Sequence, residues 1–258
     1  MAIVTVRGLP EWVDPADLLD SGCWEAGEGE LIGERTLPQA TLLSERLRNQ
    51  GLGGRRLEIT VQPSPRRSLV RKARTEVARL RRKGESGFKN RAAKVDEAGK
   101  PFLTSERLAM AMARRARADT VIDACCGCGG NAVAFARLGI RVTAIDVDAE
   151  RLGMARHNAH VYGVQDRIDF VHGDARALLG GLHADLVFLD PPWGEVDRIW
   201  CREVPLLDDL IAASAGFGRV WAKVPASFAP PPDGFAVEPW FGMGEGDRRV
   251  IKFLLLSR

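Results

Sequence analysis

Apolar and polar positions fall into two regimes along this chain. From residue 120 onward, short apolar runs alternate with amphipathic stretches. Runs over 120–124, 141–145, 167–171 and 184–189 predict four strands. Helices are predicted over 129–138 and 149–162, stopped by Gly139 and Gly163. The run 184–189 is nearly continuous in apolar side chains, which suits a central parallel strand covered on both faces. A helix over 204–213 and a fifth strand over 219–223 extend the rhythm. Two last strands are predicted over 235–240 and 249–256. Pro225 and the run Pro230, Pro231, Pro232 force turns or extended chain there. Strands so close, with no helix between them, predict an antiparallel hairpin at one edge. The fold class is therefore α/β: a Rossmann-like, mostly parallel sheet with an antiparallel C-terminal edge.

The first 119 residues obey other rules. Glycine is frequent from Gly22 to Gly54, so long regular elements are not expected there. Residues 57–61 alternate as a strand does. A helix is predicted over 68–83, with Leu69, Ala73, Val77 and Leu80 spaced for burial. Residues 84–100 are polar and glycine-punctuated, and are read as a loop that orders on binding. A second amphipathic helix over 105–117 leads into the first parallel strand. The expected division is a smaller N-terminal α+β lobe, 1–104, followed by the main domain, 105–258.

Composition narrows the class only slightly. At 258 residues, 45% hydrophobic and 28% charged, the chain reads as an ordinary globular protein. No apolar run approaches the about 18 residues of a membrane span. The first residues lack the basic-then-apolar layout of a secretory signal, and five cysteines form no disulfide framework. A cytoplasmic location is the expectation. Charge changes the picture more. Residues 1–54 hold 4 basic and 9 acidic side chains, 55–94 hold 14 and 3, and the remainder 19 and 22. A block at +11 beside mildly acidic flanks is an electrostatic footprint for a phosphate backbone, so RNA is the expected partner. Arg79, Arg81, Arg82 and Lys83 are its candidate substrate contacts. The competing reading is a solvated helix face with a loose arm.

Two motifs carry chemistry. The turn Asp123-Ala-Cys-Cys-Gly-Cys-Gly-Gly-Asn131 joins the first strand to its helix. Glycines let backbone approach a ligand, and the helix start offers unpaired N–H groups. A pyrophosphate disfavours the Asp123 carboxylate, whereas the cationic amino-acid end of S-adenosylmethionine tolerates it. Asp146, closing the second strand, is placed to accept both ribose hydroxyls, and Asp174, after the third, to meet the adenine amine. With Cys125, Gly127, Gly129 and Asn131 these acids form the candidate cofactor set. Cys125, Cys126 and Cys128 read as small packing residues, because Cys125 and Cys126 point to opposite sides of an extended backbone. No obligate metal is expected.

The second motif is Asp190-Pro191-Pro192-Trp193, at the end of the run 184–189. Two prolines remove backbone donors and fix φ, leaving carbonyl oxygens aimed outward. The Asp190 carboxylate and Pro191 carbonyl can accept hydrogen bonds from an exocyclic amine, and Trp193 offers a face for stacking its ring. Asp190, Pro191 and Pro192 are the catalytic candidates. The bland alternative makes Trp193 a core or rim residue.

Residues 87–194 resemble the trimethylguanosine synthase family, the RNA cap guanine-N2 methyltransferases. The resemblance rests on the glycine turn, Ala144-Ile-Asp-Val-Asp148, Ala155-Arg-His-Asn-Ala159 with Tyr162-Gly163, Gly173-Asp174, and Val187-Phe-Leu-Asp-Pro-Pro-Trp-Gly194. Asp96-Glu-Ala-Gly99, followed by Phe102, Thr104 and Glu106, is similar to that family's approach to the first helix. Glu195 departs from it, standing where a second glycine usually follows. The resemblance implies a class I methyltransferase sheet, with Asp123, Gly127, Gly129, Asp146 and Asp174 around S-adenosylmethionine. It implies that Asp190, Pro191 and Pro192 hold the amine while Trp193 stacks on guanine. Two other readings stay open. One is an amine methyltransferase acting on adenine, a free nucleotide, a small metabolite or a protein side chain. The other is a non-catalytic RNA-binding module.

Overall fold

Alternating burial along residues 2–7 starts the structure: Ala2, Val4 and Val6 point inward while their neighbours face out. A computed structural model describes residues 1–48, 50–83, 87–100, 102–194 and 204–258. The N-terminal part runs β1 (Ala2–Arg7), α1 (Pro15–Leu18), β2 (Glu25–Gly27), β3 (Glu30–Arg35), α2 (Leu37–Leu47), β4 (Gly51–Leu52), β5 (Arg55–Arg56), β6 (Glu58–Gln62) and α3 (Arg67–Arg82). Strands β2, β3, β1 and β6 form an antiparallel sheet in that order.

The expectation of no long element between Gly22 and Gly54 is overturned by β3 and by the 11-residue helix α2. The glycines sit on either side of that helix and not within it. Its start is specified locally: Thr36 and Gln39 exchange side-chain and backbone hydrogen bonds as a capping box, and Pro38 occupies the first turn. Leu43 and Leu47 then bury one face.

The remaining chain runs α4 (Glu106–Ala116), β7 (Thr120–Ala124), α5 (Gly130–Arg137), β8 (Arg141–Asp146), α6 (Ala149–Val161), β9 (Ile168–His172), α7 (Ala175–Leu178), β10 (Leu186–Leu189), α8 (Leu207–Ala213), β11 (Val220–Val224), β12 (Ala236–Phe241) and β13 (Ile251–Ser257). Seven strands pair in the order β12-β13-β11-β10-β7-β8-β9. β7 to β11 are parallel, and β13 pairs antiparallel with both β11 and β12. The mostly parallel sheet with an antiparallel edge is thus observed. The order reverses between β7 and β10, the switch point where open α/β sheets bind ligands.

Each face of the sheet has its own apolar layer. Helices α4 to α6 cover one, where Met112, Phe135, Phe188 and Phe253 meet. On the other, Val4, Leu18 and Leu47 join Ile122, Val187, Leu189 and Val224 in a single cluster. The N-terminal sheet therefore shares a core with the parallel sheet. A backbone clip adds to this: the Gly53 and Gly54 amides donate to the Ala226 and Ser227 carbonyls, each at 3.0 Å. Residues 87–100, part of the stretch 84–100 read from sequence as a loop that orders on binding, are tied to α6 by side-chain contacts. The Lys94 amide donates to Asn158 at 2.7 Å, Asn158 donates back to the Lys94 carbonyl at 2.7 Å, and Arg151 pairs with Asp96 at 3.0 Å. Among the described residues no helix is long and apolar enough to cross a membrane. Glu195 and Cys201 lie outside the described residues.

Candidate active site at the carboxyl ends of the parallel strands

The turn after β7 forces the chain into unusual backbone. Gly127 (φ 52°) and Gly129 (φ 83°) take left-handed conformations, and so does Cys125 (φ 68°), a conformation that strains a residue with a side chain. The turn is tied to β8, because the Cys126 amide donates to the Ile145 carbonyl at 2.9 Å. Asp146 completes the tie. One carboxylate oxygen accepts from the Gly127 amide at 2.7 Å and the other from the Asp148 amide at 2.9 Å. Asp146 thus holds the glycine turn as well as facing the cleft.

A cleft of about 580 Å³ opens beside this turn. Cys125, Gly127, Asn131, Asp146, Asp174, Asp190, Pro191, Pro192 and Trp193 all line it, so the two motifs meet in one place. Gly129 stands behind the wall, where a Cβ would lie 2.9 Å from Ala155 Cβ. Asp123 is fully buried beneath the floor, and neither of its carboxylate oxygens has a hydrogen-bond partner. Burial first, then the neighbouring Asp190 and Asp146, pushes its carboxyl well above the usual range. Asp174 caps α7 through the Arg176 amide, and its pairing with the Arg176 guanidinium at 2.6 Å lowers its carboxyl. Burial pushes the Cys125 thiol up to about 12 and the Cys128 thiol up to about 11. Cys126 and Cys128 pack in the core. Among the described residues no three metal-ligating side chains gather.

The site has two further parts that were not among the candidate site residues. The first is a wall formed by Val95, Ala98, Gly99, Phe102, Leu103 and Thr104, within the stretch whose Gly99, Phe102 and Thr104 carry the resemblance ahead of the first helix. The second is Lys223 of β11, only 3% exposed, whose ammonium sits 3.1 and 2.9 Å from the two Asp190 oxygens. Asn131 donates to one of those oxygens at 3.0 Å, linking the glycine turn to the acceptor turn. Burial raises the Asp190 carboxyl, while Lys223 and Asn131 pull it back down. The Lys223 ammonium also stands 5.2 Å from the Trp193 ring centre, and the Trp193 indole donates to the Lys223 carbonyl at 3.4 Å. The available signal was a lysine within a strand whose other positions are all apolar.

Arg79, Arg81, Arg82 and Lys83 do not line the cleft. They lie at the C-terminal end of α3, where Arg79 pairs with Glu76 at 2.7 Å and Lys83 with Glu245 at 2.9 Å. Glu245 belongs to the loop joining β12 to β13. By register that loop lies at the same end of the sheet as the carboxyl end of β11, where the cleft opens.

Sheet order, glycine turn and strand-end acids together are similar to those of the class I S-adenosylmethionine-dependent methyltransferases. Within that class, residues 118–203 match the family model described as RNA cap guanine-N2 methyltransferase. Trimethylguanosine synthase of Schizosaccharomyces pombe is 35% identical over 102 residues, covering 36% of this chain and 42% of that protein. Ribosomal RNA small subunit methyltransferase J of Rhodopseudomonas palustris is 35% identical over 134 residues, covering 43% and 66%. A tRNA (guanine(10)-N2)-dimethyltransferase of Methanothermobacter thermautotrophicus is 33% identical over 76 residues, covering 30% and 22%. The chain thus spans less than half the length of the fission-yeast relative and about two thirds of the ribosomal one.

The cleft suits the class's methyl donor. Asn131 Oδ1 and Thr104 Oγ1 are buried on its wall without partners, offering polar atoms to a ligand. Gly127 leaves open space where a Cβ would stand.

Proposed function

We propose that this protein methylates an exocyclic amine of a base in RNA, with guanine N2 as the acceptor. The reading is carried by the Asp190-Pro191-Pro192-Trp193 turn opening into the same cleft as the glycine turn. It is supported by the family match over 118–203 and by relatives whose names specify ribosomal RNA or guanine N2 of tRNA. The Gly127 and Gly129 turn, with Cys125 and Asn131, would hold the amino-acid end of S-adenosylmethionine, Asp146 its ribose and Asp174 its adenine, with Asp123 supporting the turn from below. When bound, that cofactor supplies an electrophilic methyl on a sulfonium.

The residues of this chain do the rest. An exocyclic amine is a weak nucleophile because its lone pair is delocalised into the ring. Rate must therefore come from positioning and electrostatics more than from a strong base. Pro191 offers a carbonyl and Asp190 a carboxylate to the amine hydrogens, which fixes the direction of the nitrogen lone pair. As positive charge grows on nitrogen, the same oxygens stabilise it. Asp190 or water then takes the proton. Trp193 stacks on the ring, and the wall from Val95 to Thr104 screens the cleft from solvent. Helix α3 would hold phosphates, since its last turn is anchored through Glu245 to the rim where the cleft opens.

The test is transfer of labelled methyl from S-adenosylmethionine into total RNA, followed by digestion to nucleosides. Label in N2-methylguanosine is expected. Label in N6-methyladenosine alone would replace guanine by adenine. Label absent from RNA but present in protein or small molecules would refute the RNA reading.

A further inference from the structure

A lysine buried to 3% exposure inside an apolar strand has to be satisfied by what surrounds it. Lys223 has both Asp190 oxygens, the Phe102 carbonyl at 3.5 Å, and the faces of Trp193 and Phe253 at 5.2 and 5.5 Å. Every one of these groups except Phe253 lines the candidate site. Among the described residues, Asp190 has no comparable second cation hydrogen-bonded to it. The groups around it are Asp123 of β7, Asp146 of β8, Cys125 of the turn, neutral Asn131 of α5, and Lys223. Two further acids and a thiol crowd this buried carboxylate. Without a counter-charge it would hold a proton at neutral pH.

We propose that Lys223 is a positioning residue for methyl transfer: its ammonium keeps the Asp190 carboxylate ionised and aimed at the acceptor amine. This rests on the methyltransferase reading above. A carboxylate accepts hydrogen bonds on every lone pair. A protonated carboxyl turns one oxygen into a donor, which faces the amine hydrogens with the wrong polarity. Lys223 contacts both oxygens and Asn131 donates to Oδ2, which leaves the remaining lone pair of Oδ1 for substrate. The ammonium reaches Asp190 from the strand beside it, so it shapes the acceptor site without touching the base itself. The same contact fixes Trp193, whose indole donates to the Lys223 backbone. Charge and stacking surface are thereby set by one residue of β11.

The experiment uses the full chain with S-adenosylhomocysteine bound, aspartate labelled at the carboxyl carbon, and Asp190→Asn to assign the Asp190 signal. In Lys223→Met the Asp190 midpoint should rise by about 1–3 pH units, the effect of removing an adjacent opposite charge. Methyl transfer into total RNA should fall about tenfold for each pH unit below the raised midpoint, one pH unit of lost ionisation being a factor of ten. Its acid limb should move upward by the same interval, so that activity returns toward wild type in alkaline buffer. Lys223→Arg should keep the wild-type midpoint. In an Asp190→Asn background, Lys223→Met should cost nothing further. An unmoved midpoint, or an equal loss of rate at every pH and in both backgrounds, would overturn the proposal. Failure of the wild type to methylate RNA would refute the substrate reading instead, and the carboxyl titration is read independently of it.

Discussion

Asp123 is the residue whose environment departs furthest from water. Burial, then its neighbours Asp190 and Asp146, pushes its carboxyl well above the usual carboxylate range. A raised folded value means the stabilising contribution is complete below the unfolded carboxylate value and is lost as pH rises through the folded one. Asp123→Asn cannot ionise, so it should melt at a higher temperature than wild type in alkaline buffer and close to it in acid. Parallel melts across that range check this, and an unchanged difference with pH would show Asp123 already ionised. Asp146 has a separate duty, accepting from the Gly127 and Asp148 amides. Asp146→Ala leaves two donors bare, about 1–3 kcal/mol each. It should weaken S-adenosylhomocysteine binding by calorimetry as the turn loosens, and undiminished affinity would remove it from the site. Asp123, Asp146 and Asp190 were legible in the sequence because each closes an apolar run, and strand ends in a parallel sheet converge. Lys223 was not read as part of the site. Its partner is 33 residues away, and only the β10-β11 pairing brings them together.

Helices show the same division between local and distant information. The boundaries of α3 to α6 followed from apolar spacing and terminal glycines, and each was found within one or two residues of the expected place. Helix α2 was missed because glycine frequency was averaged over a window that contained a capping box. Thr36→Ala should cost about 1 kcal/mol, visible as a lowered denaturation midpoint with unchanged slope. Helix α3 bears on the RNA proposal. Arg79 and Lys83 are already paired with acids, so Arg81 and Arg82 are the stronger candidates for phosphate contacts. Arg81→Gln with Arg82→Gln should weaken RNA binding and shallow the log-affinity against log-salt slope by about 1 per contact removed. S-adenosylhomocysteine affinity should not change. An unaltered slope in a folded variant would leave α3 as a solvated face.

At the scale of the whole molecule, the proposed division at residue 105 cuts through shared structure. Val4, Leu18 and Leu47 cover Ile122, Val187 and Leu189, and Val95, Ala98, Gly99, Phe102, Leu103 and Thr104 form a wall of the cleft. A fragment of 105–258 should therefore expose apolar sheet and fail to bind S-adenosylhomocysteine, while the full chain unfolds in one cooperative transition by both fluorescence and circular dichroism. A soluble, binding-competent fragment would show an autonomous domain. The seam between the two sheets also has an unusual chemical character on its loop side. The Gly53 and Gly54 amides grip two carbonyls beyond β11, so recognition there is written in backbone and not in side chains. The sequence demand is small: a residue without a Cβ at 54, where Ala229 would otherwise be struck at 2.8 Å. Such a joint tolerates drift in the loops on both sides. A lineage could therefore retarget this catalyst by reshaping the N-terminal lobe, leaving the strand-end chemistry untouched.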